Sequence, residues 1–302
     1  MSLVIGSGKS TRVEKSVMTS WIRLIWTTFK RKPTRLIGLG IVFFFFLMAA
    51  LGPLLYSNHL AVNPMNIYAA PSWRHPLGTD FEGEDVLAQI ILGSRYVLLS
   101  AIIAAFFTVL FGSVLGLASG YIGGKTDWII MRITDLFLTV PTFPLLIVLS
   151  TVVSFSSPVG IGLVMGATSW GGIARAVRSQ TLSLRERGYI EAVRALGFST
   201  PHIIFREILP NVAPYIAMNL LLSITGSIYG EVGLFFLGII PFSTQNWGVM
   251  LNIAFSSAGA IYEASSFLYL FSPLICIMLL TFGIVFVLDA IDELLNPRLR
   301  KV

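Results

Sequence analysis

The sequence is poor in charged residues and contains almost no cysteine. Only 12% of its 302 residues are Asp, Glu, Lys or Arg, against about 25% in typical soluble domains. The single cysteine, Cys276, excludes a disulfide framework and a thiolate metal site. The three histidines are far apart and lack metal-ligand spacing. With 55% hydrophobic residues, this composition excludes a soluble domain and indicates an integral membrane protein.

Signals for catalysis and for nucleotide binding are also missing. The chain has no Ser/His/Asp grouping and no paired carboxylates at a plausible site, so we predict that it is not an enzyme. Gly8-Lys9-Ser10 ends like a phosphate-binding loop, but Leu3 stands where the first glycine should be. We interpret residues 1–13 as a flexible tail. The net charge of +6 does not indicate nucleic acid, because the basic residues flank hydrophobic segments.

Hydrophobic segments predict an all-α integral membrane fold with six transmembrane helices, since about twenty apolar residues cross a bilayer. The predicted spans are 36–56, 96–121, 129–155, 159–173, 212–237 and 267–291. Before them, apolar residues from Val17 to Phe29 recur at helical spacing beside basic ones, which suits an interfacial helix. The alternative is a plain extension of the first span.

Basic residues set the predicted orientation. If the N-terminus is cytoplasmic, 19 of the 21 Lys and Arg residues lie inside, and only Arg74 and Arg95 lie outside. The predicted organisation is then a tail with an interfacial helix (1–35), a first transmembrane helix (36–57), an external loop (58–95), a five-helix core (96–291) and a C-terminal tail (292–302). Arg95 is expected to pair with Asp80 and Asp85 in the external region or to contact a soluble protein.

Details of the spans carry further predictions. Gly112, Gly116 and Gly120 recur every four residues, which predicts a small-residue face for close helix packing. Pro141 and Pro144 predict a kink in the third span. The predicted loop after the fifth span, 238–266, is mostly uncharged, so it could re-enter the membrane.

A polar segment at 175–210 interrupts the core on the predicted cytoplasmic side. Within it, Tyr189, Ala192, Val193 and Leu196 recur at helical spacing and predict a first helix with a small apolar face. Gly197 follows where a helix C-terminus favours positive φ.

A second helix is predicted directly after this joint. Thr200 is its predicted N-cap and Pro201 its first helical residue, and Pro210 and Pro214 mark its end. A helix, a glycine joint and a second helix between spans indicate a docking element.

The segment resembles the EAA loop of ABC-importer permeases, which contacts the ATP-hydrolysing subunits. The family pattern is Glu-Ala-Ala, three residues, Gly, nine residues, Ile, one residue, Leu-Pro. The matching positions are Glu191, Ala192, Gly197, Leu209 and Pro210. Two positions depart from the pattern, because Val193 replaces the second alanine and Glu207 stands where isoleucine is expected.

Other stretches resemble the dipeptide/oligopeptide (DppC/OppC-like) permease subfamily. They are HPLGTD at 75–80, GYIGG at 120–124, FLG at 236–238 and NPRLR at 296–300. One departure is Gly83-Glu84-Asp85, where the subfamily usually has Gly-Arg-Asp. The resemblance extends over about residues 31–300 of the chain.

The resemblance implies a type I ABC-importer permease fold with a cytoplasmic coupling helix, in a prokaryotic cell membrane. It implies a second homologous permease, two ATP-binding subunits, an extracytoplasmic substrate-binding protein and membrane lipid as partners. ATP and Mg are expected only in the ATP-binding subunits, so this chain should hold no cofactor or metal. Di- or oligopeptides are the implied cargo, with nickel or oligosaccharides as alternatives.

Roles for individual residues follow from the same resemblance. Glu191 is expected to make a charged contact with an ATPase, and Ala192 and Gly197 to allow its close approach. Arg194 would pair with that partner or with lipid headgroups. Glu231, in the fifth span, is a candidate for the translocation path or a gate, since an ionisable group at membrane depth is costly. Asn219 in the same span is a second candidate. An ion-coupled secondary transporter is the alternative class, which predicts inverted repeats and midplane carboxylates. A membrane-embedded enzyme is a third.

Overall fold

A computed structural model describes residues 24–56, 62–152, 157–239, 246–256 and 266–295. Within these ranges the regular structure is helical, apart from one isolated β-bridge between Thr79 and Asp85. The predicted flexible tail, most of the predicted interfacial helix and residues 296–302 lie outside the described residues. Residues 24–31 are helical. The all-α class is therefore confirmed for the described part of the chain.

The helices are numbered here in chain order. They are α1 Pro33–Tyr56, α2 Val86–Ile122, α3 Gly124–Thr139, α4 Thr142–Val152, α5 Pro158–Ser169, α6 Gly171–Arg185, α7 Gly188–Ala195, α8 Thr200–Phe236, α9 Trp247–Ser256 and α10 Phe267–Leu295. A short 3-10 helix, Pro64–Asn66, lies between α1 and α2.

Four of these helices, α1, α2, α8 and α10, are long and apolar enough to cross a membrane. Helices α3 and α4 together form a fifth candidate, bent by 84° at the break that contains Pro141. The predicted kink of the third span is thus confirmed, because a proline cannot continue the hydrogen-bond ladder. The predicted fourth span falls on α5, whose 12 residues are fewer than the about twenty required. Six spans therefore remain a prediction.

Helix α2 is the centre of the bundle and packs against α1, α5, α6 and α8. Its glycines face α6 so closely that a Cβ built at Gly116 would lie 2.6 Å from the Ala174 carbonyl oxygen. A Cβ at Gly120 would lie 2.7 Å from the Thr181 Cβ. The predicted small-residue face is confirmed, and its function is to let two helix backbones meet.

Two helices begin earlier than predicted. Helix α2 starts at Val86 rather than at residue 96 because Asp85 caps it, accepting hydrogen bonds from the amides of Leu87 (2.8 Å) and Ala88 (3.3 Å). Residues 86–95 therefore belong to a helix and not to an irregular external loop. Helix α3 likewise starts at Gly124, where a short loop was expected.

Helix α8 differs most from prediction, since it continues through Pro210 and Pro214. It comprises an α turn, Thr200–His202, a π-helical segment, Ile203–Ile208, and an α-helical stretch, Leu209–Phe236. In the π segment the Leu209 amide donates to the Ile204 carbonyl, five residues back, so the wider turn ends directly before the proline ring. The second helix of the docking element and the fifth span are one helix.

The start of α1 and the end of α10 are joined by ion pairs. The Arg35 side chain is 2% exposed and contacts Asp289 at 2.7 Å and Glu293 at 2.5 Å. Arg31 contacts Glu293 at 2.7 Å from a more exposed position. These contacts hold the two ends side by side.

Candidate functional site

The turn after α7 has the geometry that the glycine predicts. Gly197 has φ +80°, and its amide donates to the Arg194 carbonyl at 3.0 Å. The Phe198 amide donates to the Val193 carbonyl at 3.5 Å. This pair of hydrogen bonds is a Schellman C-cap, and its left-handed position favours glycine. The N-cap position of the next helical turn is Ser199 rather than Thr200, so that prediction was wrong by one residue, and the Ser199 side chain makes no capping hydrogen bond.

Ile190 is the main anchor of helix α7 and its one fully buried residue. Ile190 belongs to an apolar cluster with Val177 of α6 and with Ile203, Ile208 and Val212 of α8. Burying such a side chain contributes about 1.5–3 kcal/mol. The anchor ties α7 to two neighbouring helices at once.

Most of the apolar face predicted for α7 faces away from this core, although Val193 packs against it. Leu196 is 76% exposed, Tyr189 and Ala192 are exposed, and Val193 is half-buried. Just after the turn, Phe198 and Phe205 are also exposed, at 46% and 63%. We call the exposed residues Tyr189, Glu191, Ala192, Arg194, Leu196, Phe198 and Phe205 the α7 surface. Exposed large apolar side chains of this kind are typical of interaction sites.

The structure brings the residues of the predicted docking motif to one region. Glu191, Ala192, Arg194, Gly197 and Pro210 are exposed, and Leu209 is half-buried. A Cβ built at Gly197 would meet no atom within 4 Å. The backbone there is therefore open to an approaching surface.

Polar contacts hold this region against α2, α3 and α6. The Arg194 guanidinium lies 5.7 Å from the centre of the Tyr121 ring, and Arg185 donates to the Tyr121 carbonyl at 3.2 Å. Arg178 forms a bidentate pair with Asp127, at 2.5 and 2.6 Å, which is the strong geometry for a guanidinium and a carboxylate. Arg178 and Arg185 therefore contact neighbouring helices, whereas Arg194 is exposed and contacts Tyr121.

Asn211 connects the two helices on either side of the turn, and no pattern in the sequence predicts this role. Its side-chain amide donates to the Glu207 carbonyl at 2.6 Å and to the Tyr189 hydroxyl at 3.4 Å. The first contact supplies a partner to a carbonyl close to Pro210, which has no amide hydrogen to donate. Asn211 therefore positions α7 relative to α8.

A cavity of about 510 Å³ lies between α2, α4, α5, α6 and α8. Its polar lining includes Asn219, Ser223 and Ser227 of α8, with Thr108 of α2 and Ser169 of α5. Among the described residues, none that lines the cavity is Asp, Glu, Lys, Arg or His. The spacing of Asn219, Ser223 and Ser227, four residues apart, is a helical signal that could have identified this face in the sequence.

Glu231 does not line this cavity and is 1% exposed. Its carboxylate accepts hydrogen bonds from the Asn246 side-chain amide, at 2.6 Å, and from the Ser100 hydroxyl. Asn246 immediately precedes α9, and Ser100 is on α2. The two residues predicted for a path or gate are therefore not brought together, and Glu231 instead joins three parts of the bundle.

These features define a polytopic helical membrane protein with a short exposed helix, α7, and a cavity lined partly by hydroxyl and amide groups. A family model described as "Binding-protein-dependent transport system inner membrane component" matches residues 112–301. A second, described as "N-terminal TM domain of oligopeptide transport permease C", matches residues 20–71.

Curated relatives agree with these family models. The oligopeptide transport system permease protein OppC of Bacillus subtilis is 30% identical over 297 residues, covering 98% of this chain and 95% of that protein. OppC of Haemophilus influenzae is 35% identical over 237 residues, covering 76% and 73%. The dipeptide transport system permease protein DppC of Bacillus subtilis is 31% identical over 289 residues, covering 93% and 87%.

The chain belongs to the family of binding-protein-dependent transport system inner membrane components. It is a multi-pass inner membrane protein and the permease component of an ABC importer. The relatives named above are transport permeases and not enzymes. The resemblance to ABC-importer permeases of the dipeptide/oligopeptide subfamily is thereby confirmed.

Proposed function

We propose that this permease is one half of the pore of an ATP-driven importer of di- or oligopeptides. The other half is a second homologous permease, and two ATP-binding subunits and an extracytoplasmic binding protein complete the machine. ATP and Mg are bound by the ATP-binding subunits. The chain crosses the membrane six times, with α5 and the start of α6 as the fourth span, an N-terminal interfacial helix and both termini in the cytoplasm.

The coupling site in this proposal is the α7 surface, and the single observation that carries it is the contrast between anchor and surface. Ile190 is fully buried, whereas Leu196 is 76% exposed. An isolated folding unit would gain by burying that leucine, so its exposure fits a partner surface. Glu191 makes a charged contact with the ATPase, and Ala192 and Gly197 admit its backbone.

The remaining motif residues, Leu209 and Pro210, lie between the coupling site and the helix that leads to the cavity. Leu209 and Pro210 lie where the π segment passes into the long α-helical part of α8. That helix continues from the turn to the cavity lined by Asn219. Because Ile190 packs against both α6 and α8, a displacement of α7 is passed to two helices that line the cavity. The ATPase drives transport only if it binds α7 differently in its two states.

The peptide cargo rests on the names of the relatives and on the chemistry of the cavity. Its hydroxyl and amide groups can exchange hydrogen bonds with a peptide backbone irrespective of side-chain charge. Nickel and oligosaccharides are the alternative cargoes for the same machine. Uptake assays with labelled dipeptides, oligopeptides, nickel and an oligosaccharide in cells that depend on this permease distinguish them.

Co-purification of the ATP-binding subunits tests the coupling site. Glu191→Lys and Gly197→Asp are expected to reduce ATPase association and uptake about tenfold or more, because each places an unfavourable charge in a close contact. Glu186→Lys, an equal charge change at the C-cap of α6, is the matched control. Full association of both variants would refute the assignment.

A transport assay distinguishes an ABC importer from an ion-coupled secondary transporter. The purified chain in vesicles should move no substrate down an ion gradient, whereas the complete assembly should import with ATP. Uptake by the chain alone, driven by a gradient, would overturn the proposed function.

A further inference from the structure

A second cavity, of about 350 Å³, lies near the end of α2 that is remote from α7. Its lining consists of Pro53 of α1, Pro158 of α5 and Leu92, Arg95, Tyr96 and Leu99 of α2. The cavity is therefore a groove on α2 between two neighbouring helices, and it shares no residue with the cavity around Asn219.

Both walls of this groove are held tightly against α2. Gly52 of α1 lies so close to Ile91 that an added Cβ would overlap the isoleucine side chain. On the other side, a Cβ at Gly162 of α5 would lie 2.7 Å from the Ser100 carbonyl oxygen. Close backbone contacts on both sides mean that the groove is preformed, since packed helices do not deform freely.

Arg95 brings an unneutralised positive charge to the groove. Its side chain is exposed, and within the described part of the chain it takes part in none of the ion pairs. The expected acidic partners are occupied elsewhere. Asp85 caps α2 and contacts His75 at 3.1 Å, and Asp80 accepts from the Gln89 amide at 2.5 Å. The expected pairing of Arg95 with these carboxylates was therefore wrong.

An exposed apolar stripe extends from Arg95 along α2. It consists of Leu99, Phe106, Leu110 and Val114, at helical spacing and between 37% and 54% exposed. A guanidinium at the end of such a stripe matches an amphiphile with an anionic head and hydrocarbon chains. A soluble protein could neutralise Arg95, but it would leave the stripe uncovered.

We propose that the groove binds an anionic phospholipid, with the phosphate on Arg95 and an acyl chain along the stripe. Guanidinium binds phosphate oxygens through two parallel hydrogen bonds. Tyr96 lies beside it, at a membrane boundary where amphipathic aromatic rings are common. The site is an annular lipid site on the side of the bundle opposite α7.

Native mass spectrometry of the full chain in detergent tests this proposal with phosphatidylglycerol as the probe. Arg95→Gln is expected to lower lipid occupancy about fivefold, the equivalent of about 1 kcal/mol for one basic residue at a membrane surface. Arg95→Lys should retain most of the binding. Arg74→Gln, which removes another arginine on the same side of the bundle, should leave it unchanged.

A competition arm distinguishes a lipid site from a simple anion site. Inorganic phosphate at millimolar concentration should fail to displace phosphatidylglycerol, and Leu99→Trp, which fills the groove and keeps the charge, should displace it. Unchanged occupancy in Arg95→Gln, equal losses in the Arg95 and Arg74 variants, or full displacement by phosphate would each overturn the proposal. Loss in Arg95→Gln alone would support it.

Discussion

The two glutamates selected from the sequence, Glu191 and Glu231, lie near opposite ends of α8 in opposite environments. Glu191 is exposed on a short helix whose one buried residue is Ile190. Glu231 is 1% exposed and joins α2 to the residue before α9. One carboxylate is available to a partner, whereas the other is used entirely by the chain. Substitutions at the two ends should therefore affect different properties.

The largest effect is expected from Glu231→Ala. It removes the acceptor of the Asn246 amide, and a buried donor without a partner costs about 1–3 kcal/mol. The Ser100 hydroxyl keeps the Tyr96 carbonyl as an acceptor. We expect a loss of about 3 kcal/mol in stability, measured as a lower melting temperature in detergent. Glu191→Ala is the matched control and should change stability by less than about 0.5 kcal/mol.

Equal melting temperatures for these two variants would remove the distinction between the ends of α8. Glu231→Gln sharpens the test, because its amide oxygen can still accept one hydrogen bond. The melting temperature of Glu231→Gln should lie between those of Glu231→Ala and the unmodified chain. A loss of uptake without a loss of stability in Glu231→Gln would favour the gate role predicted from the sequence.

Leu196→Ala on the α7 surface is expected to affect ATPase association and not stability. The exposed leucine contributes nothing to the isolated fold, but its burial against an ATPase would contribute about 1.5 kcal/mol. We expect about tenfold weaker ATPase association with an unchanged melting temperature. Leu237→Ala, at an exposed leucine beyond the other end of α8, should leave association unchanged. Equal association of the two variants would contradict the coupling site.

A smaller, local effect is expected from Asn211→Ala. The variant loses the contact between the start of α8 and the Tyr189 hydroxyl, each such hydrogen bond being worth about 1 kcal/mol. Hydrogen exchange of the amides in α7 and in the π segment should become faster, while exchange at the Glu231 end stays the same. Tyr189→Phe is the control, because it removes only the 3.4 Å contact between Asn211 and the Tyr189 hydroxyl. Faster exchange at both ends would mean that Asn211 acts on the whole helix.

Local features were predictable from the sequence. Gly197 takes its left-handed conformation because the adjacent residues form a Schellman cap, and the glycine face of α2 follows from a spacing of four. The bend at Pro141 follows from the missing amide hydrogen. Each of these depends on interactions within a few residues or on a repeat along one helix.

Other features were not predictable because they depend on distant residues. Ser100 and Glu231 are separated by 131 residues, so no local pattern pairs them. Helix α8 passes Pro210 because a π turn and the Asn211 side chain accommodate it, although prolines usually signal a helix end. The choice of Ile190 as the anchor of α7 also depends on contacts with α6 and α8 that the periodicity of α7 alone does not contain.

The smallest effect concerns Glu84, a third carboxylate whose environment is intermediate between those of Glu191 and Glu231. Burial and the neighbouring carboxylates of Asp80 and Glu82 raise the pKa of Glu84, although a hydrogen bond from Gln89 opposes the shift. A raised pKa means that the folded state binds this proton more tightly than the unfolded state. Stability from Glu84 is therefore greatest below its unfolded pKa and falls as pH rises to its folded pKa.

Glu84→Gln should remove this pH dependence while keeping an acceptor for Gln89. From about pH 4 upward, the melting temperature of the variant should rise relative to that of the unmodified chain. An ordinary glutamate has a pKa of about 4.3. Glu186→Gln changes the net charge equally at an exposed position. A constant difference between Glu84→Gln and the unmodified chain would show that partial burial and the neighbouring carboxylates have no measurable effect on Glu84.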